Sequence, residues 1–117
     1  MPSRAIAGGK VCPTQIYKTP TPTAGYWSYT LSSEFTLCTK ERMIHQMLIR
    51  STTATTTFDF KVTDANGVLI RQFLSCTGVS NDVTPTPVTG DFTLTIENAS
   101  VDEPFSVLVK IRDAYYA

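Results

Sequence analysis

Phe58-Asp59-Phe60-Lys61-Val62-Thr63-Asp64-Ala65-Asn66-Gly67-Val68-Leu69-Ile70-Arg71-Gln72-Phe73 decides the fold class. Phe58, Phe60 and Val62 alternate with Asp59, Lys61 and Thr63, the period of two that sends successive side chains to opposite faces of a strand. Asn66-Gly67 supplies residues that tolerate positive φ, so a tight turn and an antiparallel pair of strands are expected. Phe58, Phe60, Val62, Val68 and Ile70 are the core residues expected from this hairpin.

The same alternation recurs downstream. Phe92, Leu94 and Ile96 interleave with Thr93, Thr95 and Glu97, and Phe105, Val107, Val109 and Ile111 interleave with Ser106, Leu108, Lys110 and Arg112. The polar, turn-rich connection Asn98-Ala99-Ser100-Val101-Asp102-Glu103-Pro104 predicts a second hairpin. Upstream, Tyr26-Trp27-Ser28-Tyr29-Thr30-Leu31 and Phe35-Thr36-Leu37-Cys38 read as short strands. Met43-Ile44-His45-Gln46-Met47-Leu48-Ile49 has a composition that would suit a helix, but its flanks are Thr-rich and it lacks a start signal beyond Thr39, which favours a strand. Residues 78–90, with Thr84-Pro85-Thr86-Pro87 at their centre, read as a loop.

Composition agrees. Of the 117 residues, 19 are threonine, a β-branched excess that favours strands, and 42% are hydrophobic, enough for one core. The expected fold is an all-β, single antiparallel β-sandwich or jelly-roll-like domain over residues 26–117. Residues 1–25 contain Ala7-Gly8-Gly9, Cys12-Pro13 and Lys18-Thr19-Pro20-Thr21-Pro22-Thr23-Ala24-Gly25. Alternate prolines lack a donor N–H and bias their predecessors to extended geometry, so an extended N-terminal arm is expected.

Charge and motifs exclude several functions. Ten basic and ten acidic residues cancel, so the excess of cations that holds a phosphate backbone or an anionic membrane is missing, and neither nucleic acid nor membrane is an expected partner. No apolar run approaches the roughly 20 residues of a membrane helix. Met1 to Lys10 lack the apolar centre of a signal peptide, so synthesis in the cytoplasm is expected. Cys12, Cys38 and Cys76 are odd in number and widely spaced, which suits neither a disulfide framework nor a paired-ligand zinc site. No metal or cofactor is expected.

Candidate chemistry is sparse. His45 is the one histidine and has no readable Ser or Cys partner; a strand histidine bonded to a carbonyl is the simpler reading. Asp59, Asp64, Asp82, Asp91, Glu97, Asp102 and Glu103 fall at turns or outward strand positions. Asp64-Ala65-Asn66-Gly67 resembles the start of a calcium loop without its remaining ligands, and Asp102-Glu103 near Asn98 reads as a solvated turn before a cation site. Asn98-Ala99-Ser100 has the glycosylation spacing but no secretory context. Gly8-Gly9 lacks the Lys-Ser or Lys-Thr of a phosphate loop. Tyr26, Trp27 and Tyr29 form an aromatic cluster that would stack a sugar or lie in a core or interface.

Neutral charge, few chemical groups and a long proline-rich arm suit work by contact with proteins, including closed oligomers with crossing arms. The residues expected at a partner surface are Tyr26, Trp27, Tyr29, Pro20, Pro22 and Leu108, with Leu69, Tyr115 and Tyr116 also on outward positions. Phe58 to Asp64, Pro87 and Gly90, Phe92 to Ala99 and Asp102 to Ile111 resemble small β-sandwich virion proteins of tailed bacteriophages. The resemblance covers roughly the C-terminal half. It implies a non-enzymatic capsid decoration or cement protein, located in the virion after synthesis in the host cytoplasm. Its partners would be the major capsid protein or other virion proteins, with a homo-oligomer, a trimer favoured. The alternatives are a head-tail, neck or tail component, or a carbohydrate-binding adhesion module built on Tyr26, Trp27 and Tyr29.

Overall fold

The computed structural model of the chain describes residues 13–36 and 40–113. These form nine antiparallel strands: β1 (Gln15–Lys18), β2 (Trp27–Thr30), β3 (Glu41–Ser51), β4 (Thr57–Asp64), β5 (Leu69–Thr77), β6 (Val79–Asp82), β7 (Thr86–Thr89), β8 (Phe92–Glu97) and β9 (Phe105–Asp113). The one helical turn among the described residues is a 3₁₀ turn, Leu31–Ser33. Two sheets pack face to face as a sandwich. One runs β1-β9-β3, with β6 and β7 lying in succession along the far edge of β3; the other runs β5-β4-β8-β2. A single bridge, Thr77 to Val79 around Gly78, joins the two where the chain turns from β5 into β6.

Alternation builds the core. Phe58, Phe60 and Val62 of β4 and Phe92, Leu94 and Ile96 of β8 face Ile44, Met47 and Ile49 of β3 and Phe105, Val107, Val109 and Ile111 of β9, all of them buried. Phe58 meets Phe105 across the gap edge to face, with ring centroids 5.2 Å apart and planes at 86°, the arrangement that aromatic quadrupoles favour.

The β4–β5 hairpin forms as the sequence predicts, with a different turn. Gly67 alone takes positive φ, at 79°, while Asn66 does not. Gly67 N–H donates to the Asp64 carbonyl at 3.0 Å, and Asp64 Oδ1 accepts from the N–H groups of Asn66 and Val68, both at 2.9 Å. The result is a three-residue loop with a glycine bulge, and the added residue leaves Val68 59% exposed rather than in the core. Ile70 packs at the core's edge.

The second expected hairpin does not form. β8 pairs with β4 and β2, whereas β9 pairs with β1 and β3, so residues 98–104 cross from one sheet to the other. Both strands have one apolar face, and that pattern is satisfied equally by pairing side by side or by packing face to face. The expected loop at residues 78–90 contains β6 and β7. Pro87 is tolerated because β7 pairs only with β3 and its other edge needs no donor. Phe35 and Thr36 lie outside any strand, and the rest of that expected strand, with Cys38, Cys12, Tyr115 and Tyr116, lies outside the described residues.

Residues 13–23 run along this chain's own sandwich instead of reaching away from it, and Ala24-Gly25 then turn the chain into β2. β1 adds to the edge of β9, Ile16 is 2% exposed, and the Pro20 carbonyl accepts from Phe105 N–H at 2.7 Å. Prolines cannot donate along this path, but their carbonyls accept, and Ile16 supplies an apolar anchor.

Carboxylates fasten the ends of the sandwich. Glu103 accepts from Thr53 N–H at 3.0 Å, Thr53 Oγ1 at 2.8 Å and Thr56 Oγ1 at 2.7 Å. Asp102 caps the N–H groups of Ala24 and Gly25, each at 2.8 Å. Asp59 accepts from Ser75 N–H and Asn98 Nδ2, both at 2.8 Å, and Asp91 accepts from Ser32. Asp113 pairs with Lys40 at 2.9 Å and with buried Arg42 at 2.8 Å.

These contacts favour the ionised form. The Thr56 hydroxyl and the Thr53 N–H hold Glu103 below the ordinary carboxyl range, the Ser75 N–H and Asn98 do so for Asp59, and Lys40 with Arg42 does so for Asp113. A depressed pKa means the unfolded chain binds more protons than the folded one in mild acid. The stabilisation is therefore present above about pH 4, near the unfolded carboxyl values, and is lost as pH falls further. The denaturant midpoint should fall between about pH 7 and about pH 3, and Glu103→Gln should flatten that fall. A midpoint unchanged at the acid end contradicts the assignment.

Candidate contact face

The register of the first sheet lines up its outer face in rows. Tyr17, Leu108, Leu48 and Asn81 stand side by side on β1, β9, β3 and β6. Gln15, Lys110 and Gln46 form the row on one side of them. Ser106, Arg50 and Val79 form the row on the other side. Directly opposed side chains in such rows have Cβ atoms about 5 Å apart, so Tyr17, Leu108 and Leu48 make one continuous apolar stripe. Tyr17 is 57% exposed, Val79 is 48% exposed, and Leu48 and Leu108 are partly exposed.

Parity explains how a strand as apolar as β3 presents two faces. Ile44 pairs with Ile111 and Gln46 with Lys110, so His45 is an extra residue bulged out of the ladder. The bulge moves the inward set from Arg42 and Ile44 to Met47, Ile49 and Ser51, and it turns Leu48 and Arg50 outward. His45 therefore has a structural place, a register switch in mid-strand.

Charge in these three rows is one-sided: Arg50 and Lys110 project from them and they contain no carboxylate. Arg112 stands in the next row, opposite Met43, and Glu41 lies two residues before Met43 on the same face. The opposite outer face differs, with rows Ser28-Thr95-Lys61-Gln72 and Thr30-Thr93-Thr63-Leu69. Threonines cover it, and Lys61 pairs with Glu97 at 3.3 Å.

Two shallow hollows flank Arg50. One, of about 270 Å³, is lined by Ser51, Thr52, Ala54, Thr77, Gly78 and Val79 beside Arg50. The other, of about 250 Å³, runs along Thr19, Pro104, Phe105 and Ser106 on the far side of the same Arg50, Ser51 and Thr52.

The six residues expected at a partner surface separate. Leu108 stands in the middle of the stripe, and Tyr26 is 52% exposed. Pro20 is partly covered, whereas Pro22 is buried within the chain itself, in the segment that crosses from β1 to β2. Trp27 and Tyr29 sit on the inner face of edge strand β2, opposite Ile96 and Leu94, and pack against the core. Their rings are 6.3 Å apart and nearly parallel at 11°. A sugar would need the open face of such a pair, but Lys18 Nζ lies 4.8 Å over the Tyr29 ring. Lys18 is held there by Glu34 at 2.8 Å, and Glu34 also accepts the Tyr29 hydroxyl at 2.6 Å. Burial and the Glu34 carboxylate push the Tyr29 hydroxyl far up, so it stays a donor. The cluster closes the open side of the sandwich.

Tyr17, Leu48 and Arg50 were not among the expected contact residues. Tyr17 fell in the arm, and the faces of Leu48 and Arg50 depend on the bulge at His45. Cys76 is partly buried on β5, and burial pushes its thiol up, away from the reactive thiolate. Among the described residues no three His, Cys, Asp or Glu side chains are grouped to hold a metal ion.

No protein-family model matches the chain, and no curated protein matches it. Among solved structures it is similar to a carbohydrate-binding module, CBM36, determined in complex with calcium and xylotriose. The match covers 80% of this chain and 75% of the module at 18% identity, with a TM-score of 0.33. A likeness that loose assigns neither the sugar nor the calcium to this chain.

Proposed function

We propose that the protein is a non-catalytic virion structural protein of the capsid decoration type, which seats the outer face of the β1-β9-β3 sheet on a shell protein. The observation that carries the contact face is the Tyr17-Leu108-Leu48 stripe: an apolar row on rigid strands, rimmed by polar and basic side chains, is the anatomy of a protein interface. The virion setting rests on the resemblance of Phe58 to Asp64, Pro87 and Gly90, Phe92 to Ala99 and Asp102 to Ile111 to small phage sandwich proteins. A homo-oligomer, a trimer favoured, is part of the same reading, and a neck or tail position would use the same face on a different partner.

The experiment is co-sedimentation with purified phage particles. Wild-type protein should pellet with particles, and Leu108→Glu, which puts an unpaired charge in the centre of the stripe, should weaken binding at least about a hundredfold, an effect of the size measured at interface hot spots. Leu108 is partly exposed, so the variant should keep its fold, checked by an unchanged far-ultraviolet spectrum. Particle binding that survives the charge contradicts the face. Binding to empty shells against isolated tails separates the two virion positions.

A further inference from the structure

We infer that Arg50 and its two flanking hollows are the anchor point for an acidic segment of the partner protein, a carboxylate side chain on the guanidinium with apolar neighbours seated on either side. This deepens the docking reading above and rests on it.

Three observations carry the inference. Arg50 is exposed on the outer face, and among the described residues no carboxylate pairs with it, whereas Arg42 and Arg71 are each held by one, Asp113 and Asp82. Its planar fork is thus open to a bidentate carboxylate, the strongest hydrogen-bonded pair available to a protein surface.

The hollows on its two sides have no acidic residue in their walls. Ala54, Gly78 and Val79 floor one, and Pro104 and Phe105 floor the other. Their hydroxyls are unequally committed: Ser51 Oγ donates to the Thr53 and Gly78 carbonyls and Thr52 Oγ1 to the Pro104 carbonyl, whereas Thr77, Thr19 and Ser106 line the space with no such side-chain bond among the described residues. The walls are rigid as well, because Gly78 and residues 51–56 clamp one another. Finally, Arg50 is two residues from Leu48 on the same face, so an acidic segment gripped there continues directly onto the apolar stripe. Lys110 extends the positive field in the other direction. A chain of zero net charge has placed two cations, Arg50 and Lys110, and no carboxylate on the three rows around the stripe, which suits a partner of the opposite sign.

The test uses the full chain and two blocked pentapeptides, acetyl-Val-Glu-Glu-Glu-Val-amide and its all-glutamine counterpart, titrated at millimolar concentration with amide shifts as the readout. The acidic peptide should give saturable shifts at Thr19, Arg50, Thr52, Thr77, Val79 and Ser106. Its dissociation constant should rise about fivefold or more between about 50 and about 500 mM salt. The glutamine peptide should give none, R50Q should abolish the shifts, and R50K should retain part of them. Equal response to the glutamine peptide, an unaffected R50Q variant, or no shift at all overturns the inference. So does an identical pattern with acetate or inorganic phosphate, which means an adventitious ion only. Wild-type protein that pellets with particles yet ignores the acidic peptide removes this anchor and leaves the docking face standing.

Discussion

Gly78→Ala is expected to be among the most damaging single substitutions in the molecule, a loss of about 3 kcal/mol or more of stability. Two costs add. Gly78 has φ of 72°, a left-handed conformation that costs an L side chain about 1–2 kcal/mol. A Cβ at this site would also stand 2.5 Å from the Ala54 carbonyl oxygen, closer than atoms can approach.

Neither side can give way. Gly78 N–H donates to the Thr56 carbonyl at 2.7 Å, and the Gly78 carbonyl accepts from Ser51 N–H at 2.8 Å. The residue is also the turn by which the chain leaves one sheet for the other. Gly67 is the internal control: its φ of 79° is similar, but a Cβ there meets nothing within 4 Å. Gly67→Ala should therefore show the conformational cost alone, about 1–2 kcal/mol. Chemical denaturation of the two variants measures the difference, and equal losses contradict the clamped corner.

Phe58→Ala is expected to cost about 3–5 kcal/mol, the range for a large aromatic removed from a packed core. Phe58 is 1% exposed and is one of the side chains through which the sheets touch, on the edge of the Phe105 ring. Truncation leaves a cavity between two sheets whose strands cannot collapse inward without breaking their ladders. A domain of this size has about 5–15 kcal/mol in total, so the variant gives up a large share. Its thermal midpoint should fall on the order of 10–20 °C. Phe58→Leu, which keeps most of the volume, should recover more than half. A midpoint within a few degrees of wild type would mean that Phe58 does not hold the sheets together.

Much of this architecture is legible in the chain because period-two alternation is a local signal. β4, β8 and β9 can be read residue by residue, and the sandwich follows from the need to bury their apolar faces. Pairing is not local: nothing in Phe92–Glu97 or Phe105–Asp113 says that these strands face each other across the core rather than sharing a ladder. The bulge at His45 is hidden for a related reason. It places Ile44 and Met47 three apart on one face, which imitates a helical spacing in a segment that is extended throughout.

The contact face was legible only at Leu108, an apolar residue at an outward position of a cleanly alternating strand. Tyr17 lies beside prolines, which masks the β1 strand, and Leu48 and Arg50 acquire their direction from the bulge. Trp27 and Tyr29 mislead in the opposite sense. An aromatic cluster at the start of a domain looks like a platform, but their alternation with Ser28 and Thr30 turns both rings inward, under Lys18.

A cryo-electron-microscopy reconstruction of phage particles carrying the protein would show which surface of the sandwich is covered. Tyr17, Leu108, Leu48 and Arg50 should be buried against a neighbouring protein, and the threonine-covered face of β4 and β8 should stay in solvent. A particle in which the outer face of β1, β9 and β3 is open to solvent, or which lacks the protein, contradicts the proposed docking.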